Sequence, residues 1–399
     1  MKNLFIIITV CLVPVFASAG SSVYAELPLQ SSGSTHIEDV QKTEIPGAGE
    51  KSVESVPDGR SLTLLFMGDI MGHDSLISSA LQPDGVTYDY ASCFDYIRAD
   101  ISAADLAIAN LEVTLAGPPY EGYPLFSSPD ALAAACRDAG IDVLATANNH
   151  SVDRGKKGIE RTIKTLDSLN IPHTGTFISC SARQKQSPLI IEKNGFKIAL
   201  INYTAETNGI PVPEPSCVNI IKISRLKADI AKAKLANPDT VIVFFHWGIE
   251  KQNEPGAGQM ELADTCFNAG ADIIIGSHPH VVQKSILVNQ PGRNKFVAYS
   301  LGNFIAKQKA PKTDGGQMIK LTLTKNNGIT TVSKADYMLT WIYGPGTGIK
   351  KKFYILPCKD FENRPEFFAA PEYYKRMKEF IGESRKVLDN QNKNVEEIK

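Results

Sequence analysis

Residues 241–283 read VIVFFHWGIEKQNEPGAGQMELADTCFNAGADIIIGSHPHVVQ. Val241 to Phe245 is β-branched and aromatic, the composition of a buried strand, and it ends on His246-Trp247-Gly248. Gln259 to Ala269 has helical character and stops at Gly270, a residue suited to a C-terminal cap. A second apolar run, Asp272 to Ile275, leads into Gly276-Ser277-His278-Pro279-His280. Three of the seven histidines therefore stand just past the carboxyl ends of two strands, where open α/β sheets hold their ligands. A His-x-His pair with a third His behind a neighbouring strand points to metal.

Working outward, residues 136–150 can be laid over 266–280 without a gap. Cysteine, Ala-Gly, Asp and the terminal His coincide, and Asn148 falls against His278. Each unit reads as helix, Gly stop, strand and exposed polar tripeptide. The expectation is two βαβ-type halves, giving Asn148-Asn149-His150 and His278-Pro279-His280 to one cleft.

Further strand ends carry polar groups. Ser61 to Phe66 is a strand ending in Met67-Gly68-Asp69, where Gly is expected to permit a sharp turn. Asp105 to Ala109 ends in Asn110-Leu111-Glu112, and the Gly- and Pro-rich segment 117–124 is long enough for a rim or lid. Asp153 is expected to cap a helix or bond to the site. Lys295 to Phe304 reads as one strand whose end offers Ser300 and Asn303. Helices are expected over 94–103 and 221–237, and closing strands over 317–323 and 330–339.

The chain has 399 residues, 43% hydrophobic and 21% charged, with a formal net charge of −1. Such a balance suits one large domain or two packed ones and offers no basic field for nucleic acid. Met1-Lys2-Asn3, the apolar run Leu4 to Phe16 and Ala17-Ser18-Ala19 read as an export signal, with a second cleavage site at Ala25. The run falls short of the roughly 20 residues that span a bilayer. Periplasmic or extracellular placement is therefore expected. The organisation follows as signal peptide 1–25, flexible linker 26–60, a main domain over 61–306, its closing strands and loops over 307–370, and a charged C-terminal helix over 371–399. Six cysteines remain without Cys11, and the sequence selects no pairing among them; Cys136 and Cys266 are expected as buried thiols.

Collected, Asp69, Asn110, Glu112, Asn148, Asn149, His150, His246, His278 and His280 form an oxygen- and imidazole-rich ligand set without thiolate. It suits one or two divalent ions, Zn, Mn or Fe, bridged by a carboxylate. The blocks Gly68-Asp-Ile-Met71, Asn110-Leu-Glu112, Ala147-Asn-Asn-His150, His246-Trp-Gly-Ile-Glu250, Gly276-Ser-His-Pro-His280 and Tyr299-Ser-Leu-Gly-Asn-Phe304 occur in an order that resembles CapA-like capsule-synthesis proteins of the poly-γ-glutamate group. That resemblance, over roughly residues 61–306, implies a four-layer α/β/β/α sandwich of the calcineurin-like metallophosphoesterase type. It implies Asp69, Asn149, His246, His278 and His280 as metal ligands, to which the strand-end position adds Glu112. His150 becomes the catalytic acid, with Asp153 beside it, and Asn110, Asn148, Glu250 and Asn303 face substrate. An anionic polymer or peptide, and membrane-bound capsule-synthesis machinery, are the implied partners. Two departures stand out. The first motif of a phosphoesterase would show Asp-x-His, but position 71 is Met. A bridging Asp is replaced by Asn110-Leu-Glu112, which leaves one metal position weakened, vacant or supplied by His73. Two function classes follow: a metal-dependent hydrolase or transferase, or a non-catalytic polymer-holding factor with Lys156, Lys157, Lys307, Lys309, Lys312 and Lys350 to Lys352 along its path.

Overall fold

Leu62, Leu64 and Phe66 alternate with Leu65 and Met67, and both sets are buried, so this strand is covered on both faces. It is β1 (Arg60–Ile70) of the computed structural model, which describes residues 59–308, 310–346 and 352–399. The proposed signal peptide and nearly all of the linker lie outside the described residues, as do Lys309, Lys350 and Lys351.

Next come β2 (Leu106–Leu111), β3 (Val143–Ala145), β4 (His173–Thr174) and β5 (Thr176–Phe177). A hairpin, β6 (Leu189–Lys193) and β7 (Phe196–Thr204), precedes β8 (Cys217–Val218). The opening motif supplies β9 (Thr240–His246) and β10 (Ile273–Ser277), with the expected helix at Ala257–Ala269 between them. Gly270 ends that helix at φ +110°, a conformation glycine adopts without strain. Then follow β11 (Ser285–Val288), β12 (Lys295–Ala298), β13 (Asn303–Ile305), β14 (Gly315–Asn326), β15 (Ile329–Tyr343), β16 (Tyr354–Pro357) and β17 (Glu396–Glu397).

These strands form two large sheets. One has the order β16-β15-β14-β1-β2-β3-β4, with β13 added to β1 and β17 to β15; the other runs β11-β12-β10-β9-β7-β6. Leu64 and Phe66 of β1 share a core with Ile198 of β7, Phe244 of β9, Ile275 of β10 and Leu321 of β14, so the sheets pack face to face. On the outer face of the larger sheet, Leu65 and Met67 meet Leu76, Ile101, Leu132 and Cys136 from helices. On the outer face of the smaller one, Val243 and Ile274 meet Leu226 and Ile230 of helix Ile223–Leu235 and Leu262 and Cys266 of helix Ala257–Ala269. This is the expected four-layer α/β/β/α sandwich. Each large apolar side chain buried in it contributes about 1.5–3 kcal/mol.

Two local readings change, and one open one is decided. The single helix expected over 94–103 is a 3-10 turn, Ala91–Phe94, and a helix, Arg98–Ser102, because tight turns at Asp95 and Ile97 interrupt it. The strand expected over 295–304 splits between the two sheets. Leu301 donates to Gly276 O, and Gly302, at φ +72°, turns the chain across so that Asn303 pairs with Asp69. The charged tail is docked: helix Pro371–Gln391 buries Met377, Phe380, Ile381 and Leu388 in the core between the sheets. Among the described residues no helix is long and apolar enough to cross a membrane.

Candidate metal centre

Gly68 does not make a turn; it lies inside β1. The pairing of β1 with β2 runs Met67↔Ala109 and then Asp69↔Asn110, so Gly68 is an extra residue, a bulge that re-aims the next side chain. A Cβ at Gly68 would collide with the Gly302 carbonyl oxygen, the same oxygen that accepts Asp69 N–H at 3.1 Å. Close approach between the sheets, rather than a sharp bend, demands glycine here.

Asp69 is fully buried. Its Oδ1 accepts from Asn110 Nδ2 at 2.7 Å, and its Oδ2 lies 3.0 Å from His280 Nδ1. Burial works against its ionisation, yet the hydrogen bond and charge of His280, with help from His246 and Asn110, hold its carboxyl well below the usual range. His280 Nδ1 also lies 3.0 Å from Asn303 Oδ1, so the opposite nitrogen, Nε2, is the one presented 3.8 Å from Glu112 Oε1. His246 Nε2 lies 3.0 Å from both Asn149 Oδ1 and His278 Nδ1, and 3.5 Å from Glu112 Oε1. Burial first, then neighbouring imidazoles, lower His246, and the same forces bring His278 to about 4, so both rings are neutral and have lone pairs at neutral pH. His278 and His280 sit at φ +98° and +58°, a left-handed region costly for non-glycine residues. Backbone strain of this kind concentrates at functional sites.

Glu112 joins everything. It is completely buried, and neither carboxylate oxygen has a hydrogen-bond partner. Burial, then the charges of Asp69, Glu250 and Asp153, push its carboxyl well above the usual range. Two groups of potential ligand atoms contain it: Glu112, His246 and His278, and Asp69, Glu112 and His280. An unpartnered buried carboxylate beside the neutral imidazoles of His246 and His278 is a donor set short of a cation, so these residues fit one or two divalent ions.

His150 approaches from the other tripeptide. Its Nδ1 lies 2.8 Å from Asp153 Oδ2, which also accepts Phe126 N–H at 2.7 Å. Its Nε2 is 4.0 Å from Glu112 Oε1. The two tripeptides thus converge on one carboxylate. Asn110, Asn148 and Asn303, expected to face substrate, instead brace the site. Asn110 serves Asp69 and His246; Asn148 Nδ2 donates to Leu111 O and its Oδ1 accepts His150 N–H; Asn303 Nδ2 donates to Thr313 O. All three are buried, with their polar atoms engaged. Glu250 does face a cavity of 650 Å³, alongside Met71, His73, Tyr123, His150 and His280, so the 117–124 loop forms part of its rim.

His73 belongs to neither ligand group. Its Nδ1 accepts Lys307 N–H at 3.1 Å, its ring packs edge-on against Phe126, and burial lowers it to about 4. Met71 is buried, with its sulfur 3.9 Å from Gln308 Nε2. Of the lysines suggested for a polymer path, Lys156 pairs with Glu160 and Lys312 with Glu383, while Lys307 lines the cavity. Asn208 was not legible in the sequence: its Oδ1 accepts from Asn149 Nδ2 at 3.3 Å and its Nδ2 lies 3.4 Å from His150 Nδ1. The Asn208-Gly209 pair signals a turn, but nothing local says the turn folds over His150.

The chain is thus a four-layer α/β sandwich with a histidine–carboxylate–amide cluster, holding two groups of potential metal ligands, at the ends of both sheets. The chain belongs to the family described as bacterial capsule synthesis protein PGA_cap, whose model matches residues 63–308. It is 28% identical over 280 residues to capsule biosynthesis protein CapA of Bacillus anthracis, covering 67% of this chain and 66% of that one. It is 29% identical over 282 residues to PGA biosynthesis protein CapA of Bacillus subtilis (strain 168), covering 66% and 68%. The matches thus span about two thirds of the length of these relatives. Among solved structures, the calcineurin-like phosphoesterase YfkN from Bacillus subtilis aligns with a TM-score of 0.45 and 16% identity, over 82% of this chain and 98% of that one.

Proposed function

We propose that this chain is an exported metal-dependent hydrolase or transferase acting on poly-γ-glutamate, or on a related cell-wall peptide or phosphoester, during capsule synthesis. The observation that carries the reading is Glu112: a buried carboxylate with no hydrogen-bond partner, common to two ligand groups. Family membership and the CapA relatives support the polymer. Asp69, Glu112, Asn149, His246, His278 and His280 would hold one or two divalent ions, Mn, Zn or Fe. Bound there, such ions supply Lewis acidity toward a phosphoryl or acyl group. Asp153 fixes the tautomer of His150 by accepting from Nδ1, so that Nε2 is the nitrogen left to exchange a proton with a leaving group. The rim residues Tyr123 and Lys251 offer an aromatic face and a cation to an anionic chain entering the cavity.

Elemental analysis of the purified protein, followed by incubation with poly-γ-glutamate and with a chromogenic phosphoester, tests this reading. Metal at one to two ions per chain and turnover lost to a chelator are expected. Failure to bind any divalent ion would refute it and leave the polymer-holding reading, which the buried thioether of Met71 at the first motif favours. For export, N-terminal sequencing of protein from the native host should begin after Ala19 or Ala25; recovery of Met1 on membrane-retained protein would establish an anchor instead.

A further inference from the structure

Cys180 is the one exposed cysteine among the described residues. β5 and β8 form a separate antiparallel pair in which Phe177 faces Cys217. Two residues beyond Phe177, Ser179 Oγ accepts Ala182 N–H at 3.0 Å and starts the helix Cys180–Gln186, which brings Cys180 back beside β8. The thiols of Cys180 and Cys217 are side-chain neighbours there. The alternatives are poorer. Cys93 and Cys136 share a cluster, but both are wholly buried in apolar packing, and Cys266 and Cys358 are buried in separate cores.

The surroundings are already aligned. Arg183, one turn along the same helix, donates to Tyr203 OH at 3.0 Å, pairs with Asp229 and donates through Nε to Asn219, two residues after Cys217. Helix and strand are therefore tied together on the side of the two thiols. Cys217 also ends a loop, 205–216, whose other end is fixed at Thr204 of β7. That loop carries Asn208 onto Asn149 and His150.

We propose that Cys180 and Cys217 form a disulfide, which anchors the C-terminal end of the loop that presents Asn208 to the metal centre. The oxidant is a disulfide such as oxidised glutathione. Cys180, being exposed, attacks one sulfur of the oxidant as thiolate, giving a mixed disulfide and releasing one thiol. Cys217 then attacks the Cys180 sulfur and releases the second thiol. Two electrons pass to the oxidant, whose disulfide becomes two thiols, and the two cysteine protons leave with it. Burial, then the neighbouring Cys180, push the Cys217 thiol up to about 11, so the closing step quickens as pH rises. None of this rests on the hydrolase reading.

The test uses the full chain, equilibrated with mixtures of oxidised and reduced glutathione, quenched in acid, alkylated and mapped by peptide mass. A linked pair of peptides containing Cys180 and Cys217, two hydrogens lighter than the reduced pair, is expected, with both thiols lost to alkylation. Cys217→Ser should instead accumulate a glutathione adduct on Cys180, because the resolving thiol is gone. Oxidised parent protein should also be cleaved more slowly than reduced protein by proteases within 205–216. Full alkylation of both cysteines after oxidation would overturn the proposal. So would a cross-link from either to another cysteine, or equal cleavage of the loop in both forms.

Discussion

Replacing His150 by Ala should leave bound metal nearly unchanged while lowering turnover roughly 10²- to 10⁴-fold, the usual span for a lost acid–base group. The geometry separates the two effects. His150 Nδ1 is committed to Asp153, and its Nε2 stands 4.0 Å from Glu112 Oε1, outside both ligand groups. His280 is placed differently: its Nδ1 faces Asp69 and Asn303, and it belongs to a ligand group with Asp69 and Glu112. His280→Ala should therefore lose metal as well as turnover. Elemental analysis of the two variants in parallel, with turnover on the same substrate, reads the contrast. Equal metal loss in both would make His150 a ligand and refute its role as the acid.

A second large effect is expected at Glu112. Its carboxyl is raised above the ordinary value, so the ionised form is disfavoured in the folded, metal-free protein. The sign follows from linkage. The contribution of Glu112 to stability is fully present below its unfolded pKa, about 4.3, and is lost as pH rises through the higher folded value. A divalent cation reverses this loss by pairing with the carboxylate; at a hundredfold excess over Kd it adds about 2.7 kcal/mol. Glu112→Gln removes the buried charge. The metal-free variant should be at least as stable as the parent at neutral pH, yet gain almost nothing from added Mn, Zn or Fe. Thermal melts with and without each ion measure both quantities. An undiminished gain in the variant would remove Glu112 from the centre.

Much of the centre was legible because strand ends announce themselves. A β-branched run that stops on His246, or on Gly276-Ser277-His278, places its polar residue at a sheet end whatever the tertiary details. The match between residues 136–150 and 266–280 likewise anticipated that two tripeptides would meet at one cleft, though not that they would come from different sheets. What could not be read was the direction of side chains. Asn110 and Asn148 stand at strand ends, but turn their amides inward, because Asp69, His246 and the Leu111 carbonyl need partners once buried. Gly68 reads as a turn in isolation, since the carbonyl of Gly302 that excludes a Cβ is more than 230 residues away in the chain. The split of the 295–304 segment was invisible for the same reason: its composition is that of one strand, and only the neighbouring sheet decides where it breaks.

That crossing at Gly302 has a mechanical consequence. Asp69, Glu112 and Asn149 come from the larger sheet, and His246, His278 and His280 from the smaller, so the donor atoms face one another across the seam where the chain itself passes over. The chain acts there as a stitch and the ligand cluster as the eyelet for a rivet. Sliding one sheet by a single residue, about 3.3 Å, would pull the two halves of the cluster out of register. On the proposed metal reading, ion affinity becomes a gauge of how tightly the two sheets are clasped, and substitutions far from the candidate ligands, along the buried faces between the sheets, should be felt there as changes in grip.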